Sequence, residues 1–223
     1  MNSIFKGDVN TAQGRALAWI DSLFIDHAIF RLAIGNFDTV IEGKVYRGNH
    51  PTPMRLRWLN RRHGVTTVVN LRGATGTGSY HLSRDAAKAL GIVHHDLSLE
   101  SRGAPHRDRI HRLNDIYRAS PGPIFLHCKS GADRSGLAAG LCLLFEGRSA
   151  NEALRQLSFR YGHIKRARTG ILDAFFLRFQ REGEGRKSFF DWLDQDYDEA
   201  ALRQDFRANG LASFINDWVL AHE

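Results

Sequence analysis

Cysteine is scarce in this chain. Only Cys128 and Cys142 occur in 223 residues, too few for the disulfide framework that staples small secreted scaffolds. Long apolar runs are missing too. The longest, around Leu137 to Phe145, falls well short of the ~20 residues that a membrane-spanning helix needs. There is no internal repeat and no low-complexity linker, which excludes solenoids and arrays. Acidic residues are in deficit: 31 Lys plus Arg stand against 24 Asp plus Glu, a net charge of +7. That balance favours anionic partners without choosing among nucleic acid, membrane surface and phosphorylated substrate. Basic and aromatic residues are not interleaved as a nucleic-acid stacking surface requires, so nucleic acid is not expected. The eleven histidines include His94-His95, but no metal-ligand spacing of the H-E-x-x-H kind appears, so no metal is expected.

What is present is a soluble chain with a core, 43% apolar and 25% charged. The stretch from Leu17 to Ile34 is apolar but broken by Asp21, Asp26, His27 and Arg31, and it lacks a basic leader and a cleavage site. Cytoplasmic residence is the expectation. The stretch reads as a helix buried on the core, or else as a helix lying on a membrane surface, a peripheral contact. Thr52-Pro53 opens a helix to His63. The β-branched run Thr66–Leu71 reads as a buried strand. A helix from Ser83 to Leu90 leads into a strand at Ile92–His95. Another helix covers His106 to Arg118 and a strand Ile124–Leu126. With short extended pieces at Val40 and Val45-Tyr46, this alternation predicts an α/β fold, a central largely parallel sheet flanked by helices. Beyond it the pattern is helical. Ser149-Ala-Asn-Glu152 has capping-box spacing and starts a helix towards Tyr161. Further helices are expected at Ile171–Arg181, Phe189–Asp194, Glu199–Arg207 and Leu211–Ala221.

The chemistry lies in Ile124-Phe-Leu-His127-Cys128-Lys129-Ser130-Gly131-Ala132-Asp133-Arg134-Ser135-Gly136. A buried strand ends at a cysteine, a glycine-containing loop follows, and an arginine stands where the next helix begins. Such a loop turns successive backbone N–H groups into one concavity that suits a tetrahedral oxyanion. Lys129, Ser130, Gly131, Ala132 and Asp133 form its wall, and Arg134 adds a planar fork for two phosphate oxygens. The same donors favour a thiolate at Cys128. An anion hole that holds its own nucleophile is a phosphoryl-transfer site. Cys142, within an apolar helix, reads as a core thiol.

This loop resembles the signature H-C-x-x-x-x-x-R-S/T of the protein tyrosine phosphatase superfamily, with His127, Cys128, Arg134 and Ser135 at the matching positions. It is most similar to compact dual-specificity-type enzymes, the bacterial and atypical members with H-C-K-x-G-x-D-R-T/S-G loops. Val45–Pro51 and Val68–Gly73 resemble further segments of that branch, and the likeness spans roughly residues 40–165. It implies a phosphatase core 36–168; outside the likeness, the pattern of the chain gives a helical N-terminal segment 1–35 and a helical extension 169–223 expected to pack on the core. It also implies a cysteinyl-phosphate mechanism without cofactor: Cys128 as nucleophile, Arg134 on the equatorial oxygens, Ser135 hydrogen-bonded to the sulfur, His127 as a tuning residue. The general acid has three candidates. Asp96 stands about thirty residues before the cysteine, as in many relatives; Glu100 lies further along the same loop. Asp133 matches the acid that precedes the arginine in myotubularin-like and bacterial lipid-phosphatase loops. It is the first choice because it needs no mobile lid.

The implied substrate is a phosphorylated protein, or a phosphorylated lipid or inositol, towards which Lys129 and Asp133 point. Arg55, Arg57, Arg61 and Arg62, then Arg102, Arg107, Arg109 and Arg112, then Arg160, Lys165, Arg166 and Arg168 form basic clusters able to rim a site for a multiply charged molecule. Arg47 and Arg72 follow strands and are read chiefly as braces for the loop. His163 is placed at the site edge. A catalytically idle phosphate-binding module is the competing class, and the intact Cys128 argues against it.

Overall fold

The computed structural model describes residues 11–22 and 36–208, together with Phe5, Asp8 and Val9. Five strands form one sheet: β1 Asp38–Ile41, β2 Val45–Gly48, β3 Thr67–Asn70, β4 Val93–Asp96 and β5 Ile124–His127. Their order is β1-β2-β5-β3-β4. β1 and β2 are an antiparallel pair, and every other neighbour is parallel. The α/β architecture with a largely parallel sheet is the one the alternation of strands and helices implies.

Alternate residues along the strands feed two cores. Val45, Val69, Ile124 and Leu126 face one side, against helices α4 (Arg107–Ala119), α5 (Asp133–Phe145), α6 (Ala150–Arg155), α7 (Ile171–Glu182) and α8 (Phe189–Gln195). Tyr46, Val68 and Phe125 face the other, against α2 (Pro53–His63) and α3 (Gly78–Ala89). A strand covered on both faces has no solvent side, so its sequence is continuously apolar instead of alternating. Phe175, Phe176, Phe179, Trp192, Leu193, Tyr197 and Leu202 share the first core with the sheet residues, so the helices after residue 169 are built into the same apolar mass. No helix among the described residues is long and apolar enough to cross a membrane.

Local signals set most boundaries. Thr52 caps α2 by accepting from the Arg55 amide at 3.2 Å, and Gly64 closes it in the left-handed region at φ 64°. Ser149 and Glu152 form the reciprocal capping box of α6. Two boundaries differ from expectation, each for a tertiary reason. α3 starts five residues early, at Gly78, because the Asp21 carboxylate accepts the Gly78 amide at 2.7 Å. α6 ends at Arg155 instead of continuing to Tyr161, because the Gln156 carbonyl is taken by a buried guanidinium of β2, Arg47 Nη1, at 2.6 Å. Helix α1 covers Ala12–Ile20. The remainder of the helix expected to residue 34, with most of the stretch read as a membrane contact, lies outside the described residues. The expected Leu211–Ala221 helix does too.

Candidate active site

The carboxyl ends of the parallel strands meet at one edge, where Gly48 and Asn70 both pair with His127 and Asn70 pairs with Asp96. Ligands of open parallel sheets bind at this edge. Cys128 leaves β5 there, 2% exposed, and α5 begins five residues later.

The four peptide carbonyls between them are all held from outside the loop. The Lys129 carbonyl accepts from the His50 amide at 3.3 Å, and that of Ser130 from Asn36 Nδ2 at 2.7 Å. Gly131 and Ala132 both accept from Arg47 Nη2, at 2.7 and 3.1 Å. In a trans peptide the N–H points opposite to the C=O. Outward carbonyls at 129 to 132 therefore turn the amides of Ser130, Gly131, Ala132 and Asp133 inward. One of these amides shows its target directly: Gly131 N–H donates to Cys128 Sγ at 3.3 Å. Gly131 sits at φ +80°, and a Cβ there would lie 2.7 Å from the Asn49 nitrogen and the Gly48 carbonyl carbon. Only glycine fits that backbone.

Arg47 is wholly buried. Its other nitrogen, Nη1, donates to the Gln156 carbonyl and side-chain oxygen at 2.6 and 2.9 Å, and its guanidinium lies 3.9 Å from the centre of the Tyr161 ring. Burial lowers its pKa to about 10, so it keeps its charge at neutral pH. Arg47 braces the loop from behind.

Arg134 follows on the first turn of α5, half-buried, and Lys129 is half-buried on the loop. Ser135 departs from expectation. Its hydroxyl donates to the Gly48 carbonyl at 3.2 Å, since that buried acceptor stands beside the start of the helix, and the sulfur takes its bond from the Gly131 amide instead. His127 is fully buried and stacked on Phe125, with His50 at its edge. Burial above all, then His50, holds its pKa well below the ordinary range, so the ring is neutral. Cys142 is buried in α5 with its thiol pKa pushed up by burial, a core thiol.

The three acid candidates separate by what already occupies them. Both Asp96 oxygens are engaged, one by Asn70 Nδ2 and one by the Tyr80 hydroxyl, each at 2.8 Å, with Arg84 at 3.8 Å. Glu100 is paired with Arg109 and with the His106 amide and ring, and is mostly buried. Asp133 Oδ1 lies 2.7 Å from His163 Nδ1, and His163 Nε2 lies 2.7 Å from Asp173 Oδ2. Asp133 also lines a cavity of about 340 Å³ with Arg102, Gly162, Ile164, Ala167, Arg168 and Thr169. Of the three carboxylates, Asp133 alone adjoins the amide cradle.

The family model described as "DSP-PTPase phosphatase fused to NAD+ Kinase" matches residues 34–161, more than half of the chain. The chain belongs to this family. It is a phosphatase of the protein tyrosine phosphatase type, as the resemblance of its loop implies. Among solved structures it is similar to TpbA of P. aeruginosa, 19% identical over 72% of this chain and 89% of that one, with a TM-score of 0.53. A Cys-to-Ser variant of TpbA in complex with pTyr is 20% identical, over 71% and 87%, at 0.51. PTPMT1 is 19% identical, over 65% and 96%, at 0.50. These likenesses are of fold. No curated protein sequence matches the chain.

Two supports of this phosphatase's loop carry no signal in the sequence. Asn36, at φ 43°, donates both to the Ser130 carbonyl and to that of Tyr161 at 2.9 Å, the latter 125 residues from Asn36, and so ties the loop to the Tyr161 segment. Asp173 belongs to α7, in a stretch read only as helix. His163, placed at the site edge from its position, is 2% exposed between two carboxylates.

Proposed function

We propose that this phosphatase hydrolyses phosphate monoesters through a cysteinyl-phosphate intermediate. The observation that carries the reading is the set of four inward amides around Cys128 Sγ, fixed by the outward bonds of their carbonyls. The Cys128 thiolate attacks phosphorus in line while the amides and Arg134 hold the equatorial oxygens. Asp133 protonates the leaving oxygen, then removes a proton from the water that attacks the cysteinyl-phosphate and frees the thiolate. The occupied oxygens of Asp96 and Glu100 support this choice.

The substrate favoured by the site is a phosphomonoester that carries a second anionic group, as a phosphorylated inositol or lipid headgroup does. Arg102 and Arg168 line the cavity that contains Asp133, and neither has an acidic partner among the described residues. Phosphotyrosine, which is bound in a TpbA structure, is the competing substrate, and it leaves these two arginines without a role. The test is phosphate release by wild type and Cys128→Ser from phosphotyrosine peptides, phosphoserine peptides, phosphoinositides and inositol polyphosphates. Turnover lost in Cys128→Ser with inorganic phosphate still bound is expected, because the cradle remains. Substantial metal-free turnover by that variant overturns the mechanism, and a clear preference for phosphotyrosine overturns the substrate class.

A further inference from the structure

We propose that His163, backed by Asp173, is a positioning residue that directs the transferable proton of Asp133 towards the substrate. The inference rests on the reading of Asp133 as the general acid. Three side chains from three parts of the chain form one line, buried at His163 and Asp173 and reaching the surface at Asp133: Asp133 at the start of α5, His163 in the loop before α7, and Asp173 in α7. Both ring nitrogens of His163 lie 2.7 Å from a carboxylate oxygen, and its side chain is 1% exposed.

The proton count decides what this line can do. A neutral imidazole has one N–H and can donate to only one carboxylate. Donation to both requires the imidazolium. Burial alone lowers the pKa of this ring, but the hydrogen bonds and charges of Asp133 and Asp173 outweigh it and raise the value to about 9. With both carboxylates ionised, His163 therefore donates to Asp133 Oδ1 at neutral pH; while Asp133 carries its own proton, the hydrogen bond and charge of Asp173 hold the second proton on the ring. An oxygen that accepts this N–H is a poor place for a proton, so the proton that Asp133 carries as an acid resides on Oδ2. Asp173 has the matching task at Nε2: it holds the ring in register and balances its charge. The arrangement is the one by which a buried carboxylate orients a histidine, extended by one further carboxylate.

In the reaction, the Oδ2 proton passes to the leaving oxygen as the bond from that oxygen to phosphorus breaks. The resulting carboxylate keeps the His163 bond on Oδ1. Oδ2 then takes a proton from water as the water oxygen bonds to phosphorus and the S–P bond breaks. His163 keeps both of its protons throughout, and nothing else is consumed. Arg134 follows Asp133 in the chain, and Arg102 and Arg168 line the cavity beside Asp133, with Lys165 and Arg166 close to His163 in sequence. These are cations, and none competes for the His163 proton.

The test compares His163→Ala, His163→Gln and Asp173→Asn with the wild-type chain on phenyl phosphates of graded leaving-group pKa and on an alkyl phosphate. The readout is kcat/KM, which covers steps up to the cysteinyl-phosphate. A misplaced catalytic group costs about 10²-fold, so the alkyl substrate is expected to lose about that much in His163→Ala, and p-nitrophenyl phosphate several-fold less. The slope against leaving-group pKa steepens and the basic limb of the pH profile shifts. His163→Gln, whose amide can still donate to Oδ1, restores part of the selectivity. A purely structural role slows all substrates alike at an unchanged slope, and that result overturns the inference. Should the variants not fold, ¹⁵N chemical shifts of the His163 ring in the wild-type chain decide. Two protonated nitrogens well above pH 7 are expected, and a neutral ring at pH 7 overturns the inference. No phosphate release from any substrate by the wild type would instead remove the proposed function on which it rests.

Discussion

The Gly131 amide points at the Cys128 sulfur from 3.3 Å, a contact that exists only because Gly131 occupies a left-handed backbone at φ +80°. Gly131→Ala is therefore expected to displace the loop from two sides at once. The side chain is strained at that φ, at a cost of about 1–3 kcal/mol, and its Cβ meets immovable backbone of residues 48 and 49. Losing one anion-hole donor typically costs ~10²–10³-fold in kcat. Calorimetry and aryl phosphate kinetics check it: a lowered Tm together with a fall of that order in kcat is expected, and near-normal kcat would show that the amide is dispensable.

Arg47 supports a second prediction. One buried guanidinium serves two loop carbonyls and two acceptors on Gln156. Lysine keeps the charge, but its ammonium cannot span both sets. Each buried acceptor left unpaired costs about 1–3 kcal/mol. Arg47→Lys is expected to lower stability by several kcal/mol in urea unfolding and to weaken inorganic phosphate binding, because the carbonyls that orient the amides are released. Unchanged phosphate affinity in a folded Arg47→Lys would mean that the loop holds its shape unaided.

Legibility in the sequence followed the range of the interactions. The strand, the loop and the helix after it are contiguous, so residues 124–136 declared both the anion cradle and the cysteine at its centre. The two-sided sheet was equally plain, because Val68-Val69 and Phe125-Leu126 must be apolar on both faces. Asn36 was hidden because its partner is remote: it reaches across 94 residues to Ser130. Arg47 was legible as a brace from its place after a strand, but not its second partner, Gln156, 109 residues away. The interval that singled out Asp96 is a matter of chain length alone and says nothing of Asn70 and Tyr80, which hold both its oxygens.

Leaving-group chemistry tests the acid. Asp133→Asn, Asp96→Asn and Glu100→Gln are to be compared on an alkyl phosphate and on p-nitrophenyl phosphate. General acid catalysis is worth ~10²–10⁴-fold, and a good leaving group needs little of it. Asp133→Asn is expected to show the selective loss on the alkyl substrate. Asp96→Asn is expected to lower Tm instead, since it weakens the brackets from Asn70 and Tyr80. Selective loss in Asp96→Asn with Asp133→Asn slowing both substrates equally would reverse the assignment.

Stability should carry the mark of His163. Its pKa rises from 6.5 to about 9 in the folded chain, so the folded state holds the proton more tightly than the unfolded state. The contribution is complete below pH 6.5 and is lost as pH climbs through about 9. Wild-type Tm is expected to fall across that window, and His163→Gln to fall less steeply. Parallel curves would show that the ring is not the group responsible.

The last expectation concerns the arginines beside Asp133. Arg102 and Arg168 are exposed and line one cavity, so each pairs with a substrate anion in high dielectric. Such exposed pairs are worth up to about 1 kcal/mol, or roughly fivefold in affinity. Replacing either by glutamine is expected to raise KM for an inositol bisphosphate by up to about fivefold relative to phenyl phosphate, with the two effects combining in the double variant. The discrimination should shrink as ionic strength rises, because the Debye length falls to about 3 Å at 1 M salt. Arg134 is held constant throughout, so the cradle itself is unaltered. A double variant whose preference between the two substrates matches wild type at low salt would show that the cavity takes no second anion, and would return phosphotyrosine to first place among the substrates.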